Sequence, residues 1–83
     1  MNWFVYIIEA DDQSYYTGIS TDIEKRFKQH LDGKGAKFFN GRKPVKFVYI
    51  ENEHTRSSAS TREAEIKKLS RKQKEELINE TVD

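Results

Sequence analysis

Tyr6 and Tyr16 fall in two successive β-rich runs, Arg26 and His30 stand four residues apart on one helical stretch, and Glu63 lies on a later one. Two phenols, a guanidinium, an imidazole and a carboxylate are the groups that metal-assisted cleavage of a phosphodiester requires: an anion grip, a proton acceptor and an oxygen ligand for a hard cation. Each group also has a plainer use. Strand tyrosines ordinarily pack and satisfy a hydroxyl. A phenol titrates at about pH 10, so one serving as a base needs a positive neighbour, which Arg26 or a cation on Glu63 could supply. Arg26 follows Ile23 by three residues and His30 follows Phe27 by three, so both border an apolar stripe. There Arg26 either grips a phosphate through its planar fork or snorkels over the core, and His30 is either a site residue or a half-buried polar group. Glu63, four after Ala59 and three before Ile66, shares the apolar face of its helix. A divalent cation, a capping role within Ser60-Thr61-Arg62-Glu63, and an i to i+4 pair with Lys67 all remain open for it.

The elements that must position these groups follow from local pattern. Trp3 to Ala10 is a nearly continuous β-branched and aromatic run, which predicts a central strand buried on both faces. Asp11-Asp12-Gln13-Ser14 supplies turn chemistry, and Tyr15 to Ile19 completes an antiparallel hairpin that brings Tyr6 near Tyr16. Thr21-Asp22-Ile23-Glu24 matches a capping box with Thr21 as the cap, opening a helix from about Asp22 to Leu31. Its stripe is Ile23, Phe27 and Leu31, and Gly33 and Gly35 end it. Val45 to Glu51 predicts a third strand, with Val45, Phe47 and Tyr49 on one face and Lys46, Val48 and Ile50 on the other. Ser57 or a neighbour should cap a second helix reaching Leu69, and Ser70-Arg71-Lys72-Gln73 should open a third, through about Ile78. His54 reads as an exposed turn residue with no zinc pattern around it.

A chain of 83 residues is expected to form a single domain, 1–83, because so short a chain buries only a little over ~60% of its unfolded surface and cannot support two cores. With no cysteine, neither a disulfide nor a thiolate metal site is available, which fits a reducing cytoplasm. The apolar stretch from Trp3 to Ile8 is far below the ~20 residues a membrane helix needs, and no basic region precedes it; neither a membrane span nor an export signal is expected. Net charge is only +1, but it is unevenly placed: residues 24–46 carry eight basic residues against two acids, while residues 1–23 carry four acids and no Lys or Arg. The island includes the loop Gly33 to Lys43, where Lys34, Lys37, Arg42 and Lys43 alternate with glycines and with Phe38 and Phe39. Those cations suit phosphates, although the same loop reads equally as a solvated surface segment anchored by its two Phe.

The order Phe4-Val5-Tyr6, Tyr16-Thr17-Gly18, Arg26, His30 and distant Glu63 resembles the GIY-YIG nuclease superfamily over about residues 3 to 78. Tyr16 to His30, Gly33 to Lys37 and Arg62 to Leu69 are similar to small stand-alone bacterial members of it. The resemblance implies an α+β fold, a three-stranded antiparallel sheet flanked by helices, and cleavage of DNA assisted by one divalent ion, Mg2+ or Mn2+. By position, Tyr6 is the Tyr of the first motif, with Tyr16 and Gly18 in the second. Arg26 is the phosphate-gripping arginine, His30 a histidine of some branches, and Glu63 the carboxylate ligand of the metal. Tyr6 is then expected to activate water, with Tyr16 orienting or assisting. Phe4 replaces the Gly of the first motif and Thr17 the Ile of the second, and a downstream Asn of several relatives has no counterpart better than Asn79. Larger relatives carry separate domains for target recognition, so a protein partner is one way this chain would acquire it. Two rival readings keep the scaffold without the chemistry: a nucleic-acid-binding module using the loop cations, and a protein-interaction module presenting the C-terminal helix.

Overall fold

The computed structural model describes residues 2–80. Strand β1 (Trp3–Ala10) is followed by β2 (Tyr15–Ser20), helix α1 (Ile23–Leu31), a single 3-10 turn (Lys37–Phe39), strand β3 (Pro44–His54), and helices α2 (Arg56–Lys67) and α3 (Arg71–Glu80). The strands form one antiparallel sheet in the order β2-β1-β3, so the most apolar strand is indeed the central one. Its side chains alternate between two cores. Val5 and Ile7 join Tyr49, Ala59 and Ile66 on the face that also packs against Leu77 and Ile78, so α2 and α3 cover it. Tyr6, Ile8 and Ala10 join Phe39 on the opposite face, with Ile23 and Phe27 of α1 and Phe47 of β3. Each fully buried Val or Ile contributes about 1.5–3 kcal/mol, so β1 anchors both layers.

Several local expectations are corrected. Asp22, not Thr21, caps α1: its carboxylate accepts the Lys25 N–H at 3.1 Å. At the other end the Gly33 N–H reaches the His30 carbonyl and the Lys34 N–H the Gln29 carbonyl, a Schellman closure that needs the left-handed φ of +74° at Gly33. Leu31, placed on the apolar stripe, is 52% exposed, because the stripe leaves the sheet after Phe27. Strand β3 is longer than predicted at both ends, and its alternation breaks. Ile7 pairs with Tyr49 whereas Ile8 pairs with Phe47, so Val48 is an extra residue in the ladder. This bulge puts Tyr49 on the α2 face and Phe47 on the α1 face, not together as strict alternation demands.

Helix α2 begins earlier than Ser57 would place it. Thr55 is the N-cap, accepting the Ser58 N–H at 3.0 Å while Ser58 Oγ accepts the Thr55 N–H at 3.0 Å. Ser60-Thr61-Arg62-Glu63 therefore lies inside the helix and caps nothing. Ser70 and Gln73 close the start of α3 as the sequence predicts, with exchanged bonds of 2.9 and 3.2 Å. His54 is not a free turn residue: it ends β3 with Nε2 at 2.8 Å from Glu51 Oε1 and Nδ1 at 2.9 Å from Ser58 Oγ, and Glu51 also takes the Arg62 Nε–H at 2.9 Å and the Tyr49 hydroxyl. That network joins β3 to α2.

Candidate active site

The site is organised by the passage of one ring over one glycine. Tyr6 on β1 faces Gly18 on β2 across the ladder. A methyl group at position 18 would stand 2.5 Å from Tyr6 Oη and 2.6 Å from its Cζ, so the phenol end of the ring lies directly over the glycine. With any larger residue the ring would be turned away; with glycine it crosses the edge strand. Its hydroxyl then meets His30 Nε2 at 3.0 Å. Tyr6 is 1% exposed and His30 also 1%, and Tyr16 closes over them, its ring 5.2 Å from His30 and 6.3 Å from Tyr6. Phe38 and Phe39 flank Tyr16 at 5.3 and 5.2 Å, which is how the basic loop is anchored.

His30 is thus more deeply buried than the sequence suggested, and its Nδ1 has no hydrogen-bond partner among the described residues. The cause is Gly35. Its backbone passes so close that a Cβ there would overlap His30 Nδ1, and its carbonyl accepts Arg26 Nη2 at 3.2 Å. Gln29 Oε1 accepts Arg26 Nη1 at 2.9 Å. Gln29 and Gly35 are site residues that the sequence reading missed. Gln29 was detectable as a polar residue three after Arg26; the approach of Gly35 has no local signal, because it depends on how the loop folds back.

Burial pushes the Tyr6 hydroxyl up to about 12, and neighbouring Tyr16 adds to the rise; the Arg26 guanidinium beside it pulls the other way without winning, and the Glu63 carboxylate adds a further upward push. Tyr6, Tyr16 and His30 are thus in mutual contact, and the charges of Arg26 and Glu63 both act on the phenol. Burial, helped by Arg26, holds His30 down to about 4. In this state the phenol keeps its proton and the imidazole is neutral.

The unfolded chain protonates His30 near its ordinary pKa of about 6.5, whereas the native chain resists until about pH 4. Native stability is therefore whole above the higher value and is lost as pH falls through that window, by about 2 kcal/mol at pH ~5. Urea unfolding of the wild type and His30→Gln at neutral pH and at about pH 5 should show this acid loss reduced in the variant. Equal losses in the two proteins would mean that His30 is not held neutral.

Glu63 emerges well inside α2, half-buried at 23% side-chain exposure, and pairs with Lys67 through Nζ and Oε2 at 3.3 Å. The plain i to i+4 pair considered from sequence is therefore present. It does not conflict with a cation ligand: Lys67 is 53% exposed, and such pairs are worth only about 0.3–0.5 kcal/mol, so the carboxylate can exchange partners. Among the described residues no three His, Cys, Asp or Glu side chains cluster as a cage. A lone carboxylate is compatible only with an ion such as Mg2+ or Mn2+, which retains water and takes further ligands from substrate oxygens.

The loop cations separate into two kinds. Arg42 is engaged: its Nε pairs with Asp12 at 2.7 Å, Nη1 donates to the Phe38 carbonyl at 3.2 Å, and the guanidinium lies 4.4 Å from the Phe38 ring. It pins the loop to the β1–β2 turn, and Lys43 adds main-chain bonds to Asp11 there. Lys34 and Lys37 line a shallow hollow with Gly33, Gly35, Ala36 and Asn40, next to the carbonyl that holds Arg26.

Residues 2–76 match the family model described as the GIY-YIG catalytic domain. The chain belongs to the GIY-YIG family. It is 48% identical over 80 residues to a UPF0213 protein of Haloquadratum walsbyi, covering 96% of this chain and 90% of that one. A UPF0213 protein of Clostridium perfringens is 49% identical over 76 residues, covering 92% and 82%. Two solution NMR structures share the fold: the UPF0213 protein BH0048 of Bacillus halodurans, with TM-score 0.63, 43% identity and 98% and 86% of the two chains covered, and the E. faecalis protein EF2693, with TM-score 0.65, 35% identity and coverage of 95% and 84%. The α+β architecture, a three-stranded antiparallel sheet with three helices, is that of this GIY-YIG group. Among the described residues no helix is long and apolar enough to cross a membrane.

Proposed function

We propose that this GIY-YIG chain is a divalent-cation-dependent DNA endonuclease or nickase. The observation that carries the reading is the 3.0 Å contact of Tyr6 Oη with a neutral, buried His30, in electrostatic reach of both Arg26 and Glu63. Arg26 presents a guanidinium at the phenol, suited to hold the scissile phosphate through paired donors. Glu63 would hold Mg2+ or Mn2+, which when bound supplies Lewis-acid stabilisation of the phosphate charge. A free phenolate is disfavoured by burial, so Tyr6 works best as one link in a relay. As its oxygen takes a proton from the attacking water, its own proton passes to His30 Nε2, and no phenolate accumulates. The arriving phosphate provides the negative charge that offsets the imidazolium. Tyr16 covers the pair and restricts access of bulk water. Lys34 and Lys37 line the path of the DNA backbone, while Arg42 and Lys43 contribute charge from the loop they pin.

The experiment is direct. Purified protein incubated with supercoiled plasmid and with branched DNA should nick one or both in Mg2+ or Mn2+, with all cleavage lost in chelator. Salt-sensitive binding without nicking under any cation would replace this reading by that of a non-catalytic nucleic-acid-binding module. Absence of binding as well would leave the protein-interaction reading.

A further inference from the structure

Arg26 belongs to two places at once. Besides acting on the phenol, it lines a cleft of about 480 Å³ together with Trp3, Ile19, Lys25 and Gln29. The cleft exists because β2 ends at Ser20, opposite Phe4, so Trp3 stands one residue beyond the end of its neighbouring strand. Its volume is within the roughly 300–1,000 Å³ of small-molecule sites. Its chemistry is mixed in a particular way. Trp3 and Ile19, half-buried against the α2–α3 core, supply an aromatic and an apolar residue to its lining, while Ser20, Thr21 and Gln29 supply neutral polar groups. Lys25 is exposed and has no carboxylate partner among the described residues, whereas the Asp22 carboxylate is already committed to capping α1. The Arg56 guanidinium stands 5.8 Å from the Trp3 ring. Two cations lining the cleft, Lys25 and Arg26, beside one aromatic wall match the way single strands are held: cations track the backbone and a ring takes the base.

We infer that this cleft is a nucleoside subsite, in which Trp3 stacks the unpaired base next to the phosphate held by Arg26 and Lys25 neutralises the adjoining phosphate. The inference rests on the nuclease reading for the role of Arg26 and extends it to substrate class. A base stacked on an indole must have left its own helix, so the preferred DNA is single-stranded, frayed or branched at the cut, and fully paired duplex is a poor ligand.

Trp3 is the chain's only tryptophan, so intrinsic fluorescence reports on the cleft itself. Titration in chelator, where no cleavage occurs, with a short oligodeoxythymidylate should quench and shift the emission saturably. The same length of blunt duplex should do so far less, and inorganic phosphate not at all. By fluorescence anisotropy of a labelled oligodeoxythymidylate, Trp3→Ala should weaken binding about ten-fold or more, and Trp3→Phe should recover part of it. Lys25→Glu, a change at an exposed position outside both cores, should lower affinity by a similar factor and reduce the quenching. Wild-type affinity in both Trp3→Ala and Lys25→Glu, or equal quenching by duplex and single strand, overturns the subsite. The two readings fail separately: quenching that persists in a protein unable to nick plasmid sinks the nuclease and keeps the subsite, whereas nicking without quenching does the reverse.

Discussion

Glu63→Gln is expected to lower cation-dependent DNA cleavage by on the order of a thousand-fold, because several kcal/mol of charge stabilisation leave with the cation ligand. The fold should hardly notice. Helix α2 is capped by Thr55, so position 63 closes no helix start, and among the described residues the ion pair lost is with a Lys67 that is 53% exposed. Glutamine is nearly isosteric, so the stability change should stay within about 0.5 kcal/mol. Plasmid nicking followed over time in Mg2+, beside thermal unfolding by circular dichroism, reads both quantities on one preparation. Near-normal cutting by a folded Glu63→Gln protein would show that the cation is held elsewhere. The same variant should retain Trp3 quenching by oligodeoxythymidylate, since Glu63 does not line that cleft.

The parts of this molecule that could be read from sequence are those in which one residue's type decides a local geometry. The continuous apolar run of β1 implied burial on both faces, Gly33 marked the end of α1, and Ser70 with Gln73 marked the start of α3; all three hold. What could not be read depends on partners distant in the chain. The bulge at Val48 is visible only in the ladder with β1, and without it strict alternation places Phe47 and Tyr49 on the same face. Capping slipped by a residue where adjacent side chains competed, as Thr21 with Asp22, and by more where Thr55 outcompeted Ser57. In the candidate site, the approach of Tyr6 to Tyr16 was legible, but the states of the groups were not. The expectation that Arg26 would lower the Tyr6 pKa had the right sign, yet burial of the ring under Tyr16 is the larger effect. Arg42, counted among phosphate-facing cations, could not be known to have Asp12 as its partner until the loop was seen to fold against the β1–β2 turn.

Gly18→Ala should be severely damaging for so small a substitution. The added methyl would sit 2.5 Å from Tyr6 Oη, 2.6 Å from Cζ and 3.0 Å from Tyr16 Cε2, so something must move. The ring has little room to yield: it is buried, with Phe47 against it edge-on at 5.6 Å and His30 at 6.2 Å. Overpacking of this kind costs about 1–3 kcal/mol. Displacing the phenol also strips His30 Nε2 of its partner beside an Nδ1 that already has none, adding about 1–3 kcal/mol for a buried unsatisfied group. Urea unfolding should therefore register a loss on the order of 2–5 kcal/mol. On the proposed mechanism, plasmid cleavage should fall even at temperatures where the variant stays folded, because the Tyr6–His30 contact is broken. Gly41→Ala is the contrast: nothing lies within 4 Å of a methyl there, and only its φ of +85° is strained, at a cost of roughly 1–2 kcal/mol. If the ring's passage over residue 18 is the cause, shortening the ring should relieve it. Tyr6→Leu should then cost less stability in the Gly18→Ala background than in the wild type, with a coupling of more than about 1 kcal/mol. Strict additivity, or a Gly18→Ala protein as stable and active as its parent, would mean that the phenol reaches His30 by a route that does not need the glycine.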